Sequence, residues 1–264
     1  YLNDNKIKYI EQGAFVYISS LNIISLENNL LSTFTFDLFC SEQLKVANFR
    51  NNLIEKVPDY QFVKKKFTDF HTLDLSFNKI PEINLEILIS DESKQSNIKN
   101  ILLNNNKLKS ISKGFLSNFK MLTNLDLQCN QIASIDPYSF FYLDMLKVLV
   151  LANNSISVLK ENTFDGLFQL ETLNLSFNAL EHIQSYLFVQ LSSLMTLDLS
   201  YNKLKYIEVN SFQSQGQLNL LYLNKNIDLS ILNGSLFNLD SIKDIYVSFD
   251  YVISNENNAY NMLK

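Results

Sequence analysis

One pattern recurs through this chain at a fixed interval. The segments LTNLDLQCNQIASI, LKVLVLANNSISVL, LETLNLSFNALEHI, LMTLDLSYNKLKYI and LNLLYLNKN open at Leu122, Leu146, Leu170, Leu194 and Leu218, each 24 residues after the last. A constant period headed by L-x-x-L-x-L-x-x-N-x-L excludes most globular folds. Each copy is a single supersecondary unit whose apolar side only a neighbouring copy can cover. The L-x-L piece alternates, which predicts a short strand with both leucines on one face and the residue between them on the other. Stacked copies then pair as a parallel sheet with strands about 4.7–4.9 Å apart. The returning half of each copy forms the opposite side.

Two further registers share the period. Asn5, Asn29, Asn52, Asn78, Asn106, Asn130, Asn154, Asn178, Asn202 and Asn226 hold one position of successive repeats, and Asp250 holds the next. A polar group repeated inside an apolar core needs partners, or each copy costs about 1–3 kcal/mol. An asparagine carries both donors and an acceptor, so a ladder of them is expected to satisfy the backbone where it leaves the strand. Ten residues after each of these positions come Phe15, Phe39, Phe62, Leu88, Leu116, Phe140, Phe164, Phe188, Phe212, Leu236 and Tyr260. They predict an apolar spine filling the far half of the core.

On these residues the chain resembles the leucine-rich repeat superfamily, in particular the 24-residue "typical" type of Toll-like and Slit-like extracellular proteins. The resemblance implies an α/β-type solenoid: a curved horseshoe with a parallel β-sheet on its concave face and an irregular, 3-10 or short-helix convex side. It covers nearly the whole chain, read as a single array over residues 1–264 with about ten repeats. Both ends are expected to be cut from a longer array, without the cysteine-rich caps of extracellular relatives.

Departures from the period are local. In the 26-residue repeat at 44–69, Ala47 and Phe49 replace strand leucines, and Lys64, Lys65 and Lys66 are expected to form a solvated face. The repeat opening at Phe70 runs to 28 residues, its extra length placed in a surface loop at 89–97. Pro58, Pro81 and Pro137 fall after the ladder position, where a missing N–H does not break the sheet. Asp228 takes a position that is otherwise apolar, and residues 254–261 are expected to be poorly ordered.

Composition narrows the partners. With 22 Lys+Arg against 27 Asp+Glu the net charge is −5, which argues against a phosphate-neutralising surface and hence against nucleic acid. No apolar run reaches the roughly 18–20 residues that cross a bilayer, so no membrane span is expected in the chain. The two cysteines, Cys40 and Cys129, lie four repeats apart, on the order of 20 Å, too far to pair.

Function is expected on the concave face, because its outward residues need not fill the core. The candidate ligand-binding residues there are Asn100, Leu102, Asn124, Asp126, Val148, Val150, Thr172, Asn174, Thr196, Asp198, Leu220, Tyr222 and Tyr246. Within them Leu102, Val148 and Val150 read as one apolar group, and Leu220, Tyr222 and Tyr246 as another, richer in the aromatic residues that partner surfaces favour. Asp74, Asp126 and Asp198 are two or three repeats apart, so neither a metal site nor an acid–base pair is expected. His71, Asp74 and Ser76 are close in sequence, yet one extended strand does not deliver a nucleophile–base–orienter geometry. No catalytic residue and no cofactor is expected. Three N-x-[ST] sequons, at Asn153, Asn174 and Asn233, are glycosylation candidates.

The resemblance implies a non-catalytic ligand- or protein-binding module of an extracellular or cell-surface receptor or secreted recognition protein. Its partner would be a protein, glycan or lipid on the concave face, and a homo- or heterodimer is compatible with it. An adhesion or matrix protein and an intracellular scaffold are the alternatives, because one architecture serves many roles.

Overall fold

The computed structural model describes residues 1–15, 17–34, 41–57, 69–85, 96–231, 239 and 241–247. Ten three-residue strands, one per turn, carry the L-x-L pieces. They are β1 (Ile23–Ser25), β2 (Val46–Asn48), β3 (Thr72–Asp74), β4 (Asn100–Leu102), β6 (Asn124–Asp126), β8 (Val148–Val150), β9 (Thr172–Asn174), β11 (Thr196–Asp198), β13 (Leu220–Tyr222) and β15 (Asp244–Tyr246). They pair in chain order, all parallel, as one ten-stranded sheet. The register is in phase throughout, as with Leu125↔Leu149 and Leu149↔Leu173. The central residue of each three-residue strand from β2 to β13 is buried and its two flanking residues are not, as period-two alternation requires.

The returning side is irregular. Among the described residues it holds no helix; turns alternate with two-residue strands that also pair in parallel. β5 (Ser110–Ile111) pairs with β7 (Ser134–Ile135), and β10 (His182–Ile183), β12 (Tyr206–Ile207) and β14 (Ser230–Ile231) form a three-stranded ribbon. The sequence reading did not anticipate these pairs.

The asparagine column forms the expected ladder, and its bonds run in one direction. From Asn29 onward each side-chain oxygen accepts from a backbone N–H of the turn before it: Ile156 N–H to Asn178 Oδ1 and Leu180 N–H to Asn202 Oδ1, both at 3.0 Å. The Nδ2 of each of these donates both to its own strand end and to the strand end one turn back, as Asn178 does to Leu175 O and Leu151 O. Most of the column is buried; Asn130 and Asn154 are half-buried and Asn5 is exposed.

Beneath the sheet, Phe140, Phe164, Phe188 and Phe212 are buried and stack turn on turn. Their ring centroids stand 6.4, 5.9 and 5.9 Å apart. On the sheet face the nearly parallel rings of Tyr222 and Tyr246 are 4.6 Å apart, which matches the strand spacing of about 4.7–4.9 Å. Successive turns therefore fan outward from the sheet, and the sheet lines the inside of the curve. Leu116 is also buried and Phe15 partly so. Phe39, Phe62, Leu88, Leu236, Tyr260 and Asp250 lie outside the described residues, as do Pro58, Cys40, the Lys64–Lys66 run, 89–95 of the loop and residues 254–261. Asp228 is exposed: a tight turn from Asn226 O to Leu229 N–H swings Leu229 inward in its place.

One core residue breaks the pattern. Phe119, Leu143, Leu167 and Leu191 occupy a buried column whose next member is Gln215, with no accessible surface. Its Nε2 donates to Phe188 O at 2.6 Å, while its Oε1 has no partner among the described residues. Phe188 O also accepts from Leu191 N–H, so it would not be orphaned by loss of the glutamine. Gln215→Leu is expected to stabilise the protein by about 1–2 kcal/mol, the cost of the unmet acceptor. A lowered denaturation midpoint would contradict this.

Candidate binding face

The outward residues of the ten strands lie side by side because the register is in phase. One row reads Ser25, Asn48, Asp74, Leu102, Asp126, Val150, Asn174, Asp198, Tyr222, Tyr246 across the sheet. The other reads Ile23, Val46, Thr72, Asn100, Asn124, Val148, Thr172, Thr196, Leu220, Asp244. All thirteen candidate residues fall on this face, and none of them is buried.

The face has two chemically different ends. At the first, Arg50, the one arginine of the chain, packs its guanidinium 4.1 Å over the Phe77 ring. Its Nη1 donates to Ser76 Oγ at 2.9 Å and its Nε lies 3.4 Å from Glu27 Oε1. Planarity and forked donors suit arginine to this site better than lysine. The charges here are already partnered within the protein. At the other end Tyr222 and Tyr246 stack with an interplanar angle of 6°, next to Leu220, and Tyr246 is exposed. The predicted C-terminal group is thus a real cluster.

The predicted central group is divided. Leu102 and Val150 flank Asp126 on its two sides, so the carboxylate stands between the aliphatic side chains. Sequence reading grouped these residues by type and overlooked which strand separates them. Burial pushes the Asp126 carboxyl above its ordinary value; the Gln128 N–H opposes this and the charge of Asp74 adds a smaller upward push. Such a group favours the fold when protonated and loses that contribution as pH rises through its folded value. Above that value it is ionised against the burial penalty.

Asn48 and Asn174, in the same row, already accept the equivalent backbone N–H through Oδ1. Asp126→Asn should therefore keep the turn and raise the melting midpoint at pH 7 by roughly 1–3 °C. The gain should shrink as pH falls towards about 4, where carboxyls protonate. A pH-independent difference would refute the burial account.

The other sequence candidates fall as follows. Ser76 donates its hydroxyl to Asp74 Oδ1 at 2.6 Å, but His71 Nδ1 meets Thr72 Oγ1 at 3.0 Å instead of either. His182 is half-buried in β10 and stacks on Tyr206 at 5.5 Å. Cys129 is a free, half-buried thiol. Among the described residues no three His, Cys, Asp or Glu side chains are grouped to hold a metal ion, and no helix is long and apolar enough to cross a membrane. Asn153 is exposed at the edge of the sheet. Asn174 is half-buried on the face, its Oδ1 accepting from both the N–H and the hydroxyl of Ser176. Asn233 lies outside the described residues.

Sequence reasoning missed one more column, the residue just before each ladder asparagine. Asp4, Asn28, Asn51, Phe77, Asn105, Cys129, Asn153, Phe177, Tyr201 and Lys225 all hold φ between 51° and 63°. This left-handed step bends the chain out of the strand. A run of asparagines at a second period-24 position was the available signal, since Asn tolerates that conformation.

Comparison with known proteins agrees with this geometry. A family profile described as Leucine rich repeat matches residues 96–145, 120–180 and 168–227. One described as BspA type Leucine rich repeat region (6 copies) matches residues 2–68. Among curated relatives, Receptor-like kinase TMK2 of Arabidopsis thaliana is 30% identical over 139 residues, 50% of this chain and 15% of that protein. Leucine-rich repeats and immunoglobulin-like domains protein 3 of Homo sapiens is 28% identical over 141 residues, 53% of this chain and 12% of that one. The chain thus spans less than a fifth of the length of these relatives.

Two solved structures show the same fold. The TLR13–ssRNA13 complex superposes with a TM-score of 0.66 at 21% identity, covering 93% of this chain and 42% of that one. A leucine-rich repeat protein of Leptospira interrogans superposes with a TM-score of 0.65 at 22% identity, covering 86% and 61%.

Proposed function

We infer that the chain, which belongs to the leucine-rich repeat family, is a non-catalytic binding module of an extracellular receptor or secreted recognition protein, and that it takes its ligand on the inner sheet face. The observation that carries this reading is the Tyr222–Tyr246 stack beside Leu220, half-buried at Tyr222 and exposed at Tyr246. Those rings fill no core, and stacked tyrosines supply large, rigid contact area of the kind that dominates interface energetics. The receptor-like kinase and immunoglobulin-domain relatives support an extracellular setting. A protein or glycan ligand fits better than nucleic acid. TLR13 is seen in complex with single-stranded RNA, but this chain carries a net charge of −5 and sets Asp74, Asp126 and Asp198 on the face in question.

The test is a panel of secreted and cell-surface proteins and glycans from the source organism, assayed against the immobilised chain. For any ligand found, Tyr222→Ala with Tyr246→Ala should weaken affinity at least about tenfold, the loss of one or two aromatic anchors. The melting midpoint should move by no more than about 2 °C, because neither ring is buried. Unchanged affinity would remove the aromatic end from the binding site.

A further inference from the structure

In the left-handed column, Asn and Asp are at ease while Phe177 and Tyr201, at φ 54° and 52°, are not. Both are large rings about half exposed, at 50% and 43%, stacked on each other with centroids 4.1 Å apart and planes at 10°. Core packing does not call for an aromatic pair there, and strain held at an exposed site points to a use. The comparable Phe77 is covered by Arg50. Phe177 stays half exposed, with Tyr201 stacked on the side towards the following turn.

The side towards the preceding turn belongs to Asn153, which heads the sequon Asn153-Asn154-Ser155. Asn153 and Phe177 stand at the same offset from the paired residues Val150 and Asn174, so they are neighbours across one turn. Side chains of this column do reach each other at that spacing. Asn28 Nδ2 donates to Asp4 Oδ1 at 2.7 Å, Asn51 Nδ2 to Asn28 Oδ1 at 2.7 Å, and Asn153 Nδ2 to Cys129 Sγ at 3.0 Å.

We propose that Asn153 is N-glycosylated and that its first N-acetylhexosamine rests on the open face of Phe177, so that the chain carries its own cover for the Phe177–Tyr201 pair. In the transfer, a bond forms between Nδ2 and the anomeric carbon of the sugar. The bond from that carbon to a lipid-linked diphosphate donor breaks, and one Nδ2 proton departs. A half-turn of the amide then directs Nδ2 towards Phe177 and lets the Cys129 S–H donate to Oδ1 in its place. The C–H face of the sugar meets the negative face of the ring. The modification sits on the sheet's edge and leaves the inner face open, whereas a sugar on Asn174 would stand in the middle of it, between Val150 and Asp198.

The proposal rests on the extracellular reading only for its occurrence in the native host, so the test supplies the secretory route itself. The 264-residue chain is produced behind a heterologous secretion leader in human cells as wild type, Ser155→Ala and Phe177→Asn. Sugars are trimmed enzymatically to the first N-acetylhexosamine and mapped by peptide mass spectrometry. Asn153 should carry the sugar, and the trimmed wild type should melt about 2–4 °C above Ser155→Ala. Phe177→Asn places in the column the residue already used at Asn105 and therefore folds. In that background, removing the sequon should leave the midpoint unchanged. An unmodified Asn153 overturns the proposal wherever the native chain resides, and so does a sugar increment that survives Phe177→Asn. Neither result bears on whether the inner face binds a ligand.

Discussion

Asn202→Ala is expected to lower stability by about 3 kcal/mol, and the melting midpoint by roughly 6–12 °C. The magnitude follows from which groups lose their last partner. Asn202 Nδ2 donates to Leu175 O, Leu199 O and Ser200 O at 2.9, 3.1 and 3.2 Å. Each of these oxygens keeps a second donor: Asn178 Nδ2 on Leu175 O, Asn226 Nδ2 on Leu199 O and the Phe177 N–H on Ser200 O. Leu180 N–H keeps none, since Asn202 Oδ1 is its acceptor. One buried orphan donor, three weakened carbonyls and a small void add up to a few kcal/mol, less than a tally of four broken bonds would give. Asn5→Ala is the control. Asn5 is exposed and, among the described residues, its side chain bonds only Leu2 O and Asn3 O, so its loss should cost under about 0.5 kcal/mol. Equal effects in chemical denaturation would dismiss the buried ladder.

Phe164→Ala is expected to cost about 3–5 kcal/mol. The ring is buried and stacked between Phe140 at 6.4 Å and Phe188 at 5.9 Å, so truncation opens a cavity that the neighbouring rings cannot close without leaving their own turns. Because each turn touches chiefly its neighbours, the damage should spread only locally. Hydrogen exchange should accelerate in the strands from β6 to β11 and stay near wild type around β1 and β2. Uniform acceleration along the chain would mean that the array unfolds as one unit.

The ladder and spine were legible because both recur at the same interval and both answer a physical demand, partners for buried amides and volume for the outer half of the core. The position of the sheet followed from the L-x-L alternation. What escaped the sequence depends on neighbours across turns, which a list of residue types does not display. Leu102 and Val150 look like one patch until the register sets Asp126 between them. Arg50 looks like an ordinary surface charge until Phe77 and Ser76 arrive from the next turn and Glu27 from the turn before. Phe177 and Tyr201 stand between a serine and a ladder asparagine, and only the backbone shows the left-handed step they carry. Gln215 could have been noticed, since it interrupts a column of buried Leu and Phe, but only the fold shows its oxygen to be unmet.

The sense of direction in the amide ladder has a consequence for how such a molecule can change its length. Every rung hands its oxygen backwards and receives the same gift from the rung ahead, as at Asn154, Asn178 and Asn202. Excising 24 residues therefore rejoins like with like wherever the cut falls, whereas a deletion of another length leaves amides without their mates. The inner surface is in effect a ruler graduated in strand widths, whose reach can be lengthened or shortened one graduation at a time without inventing a new joint.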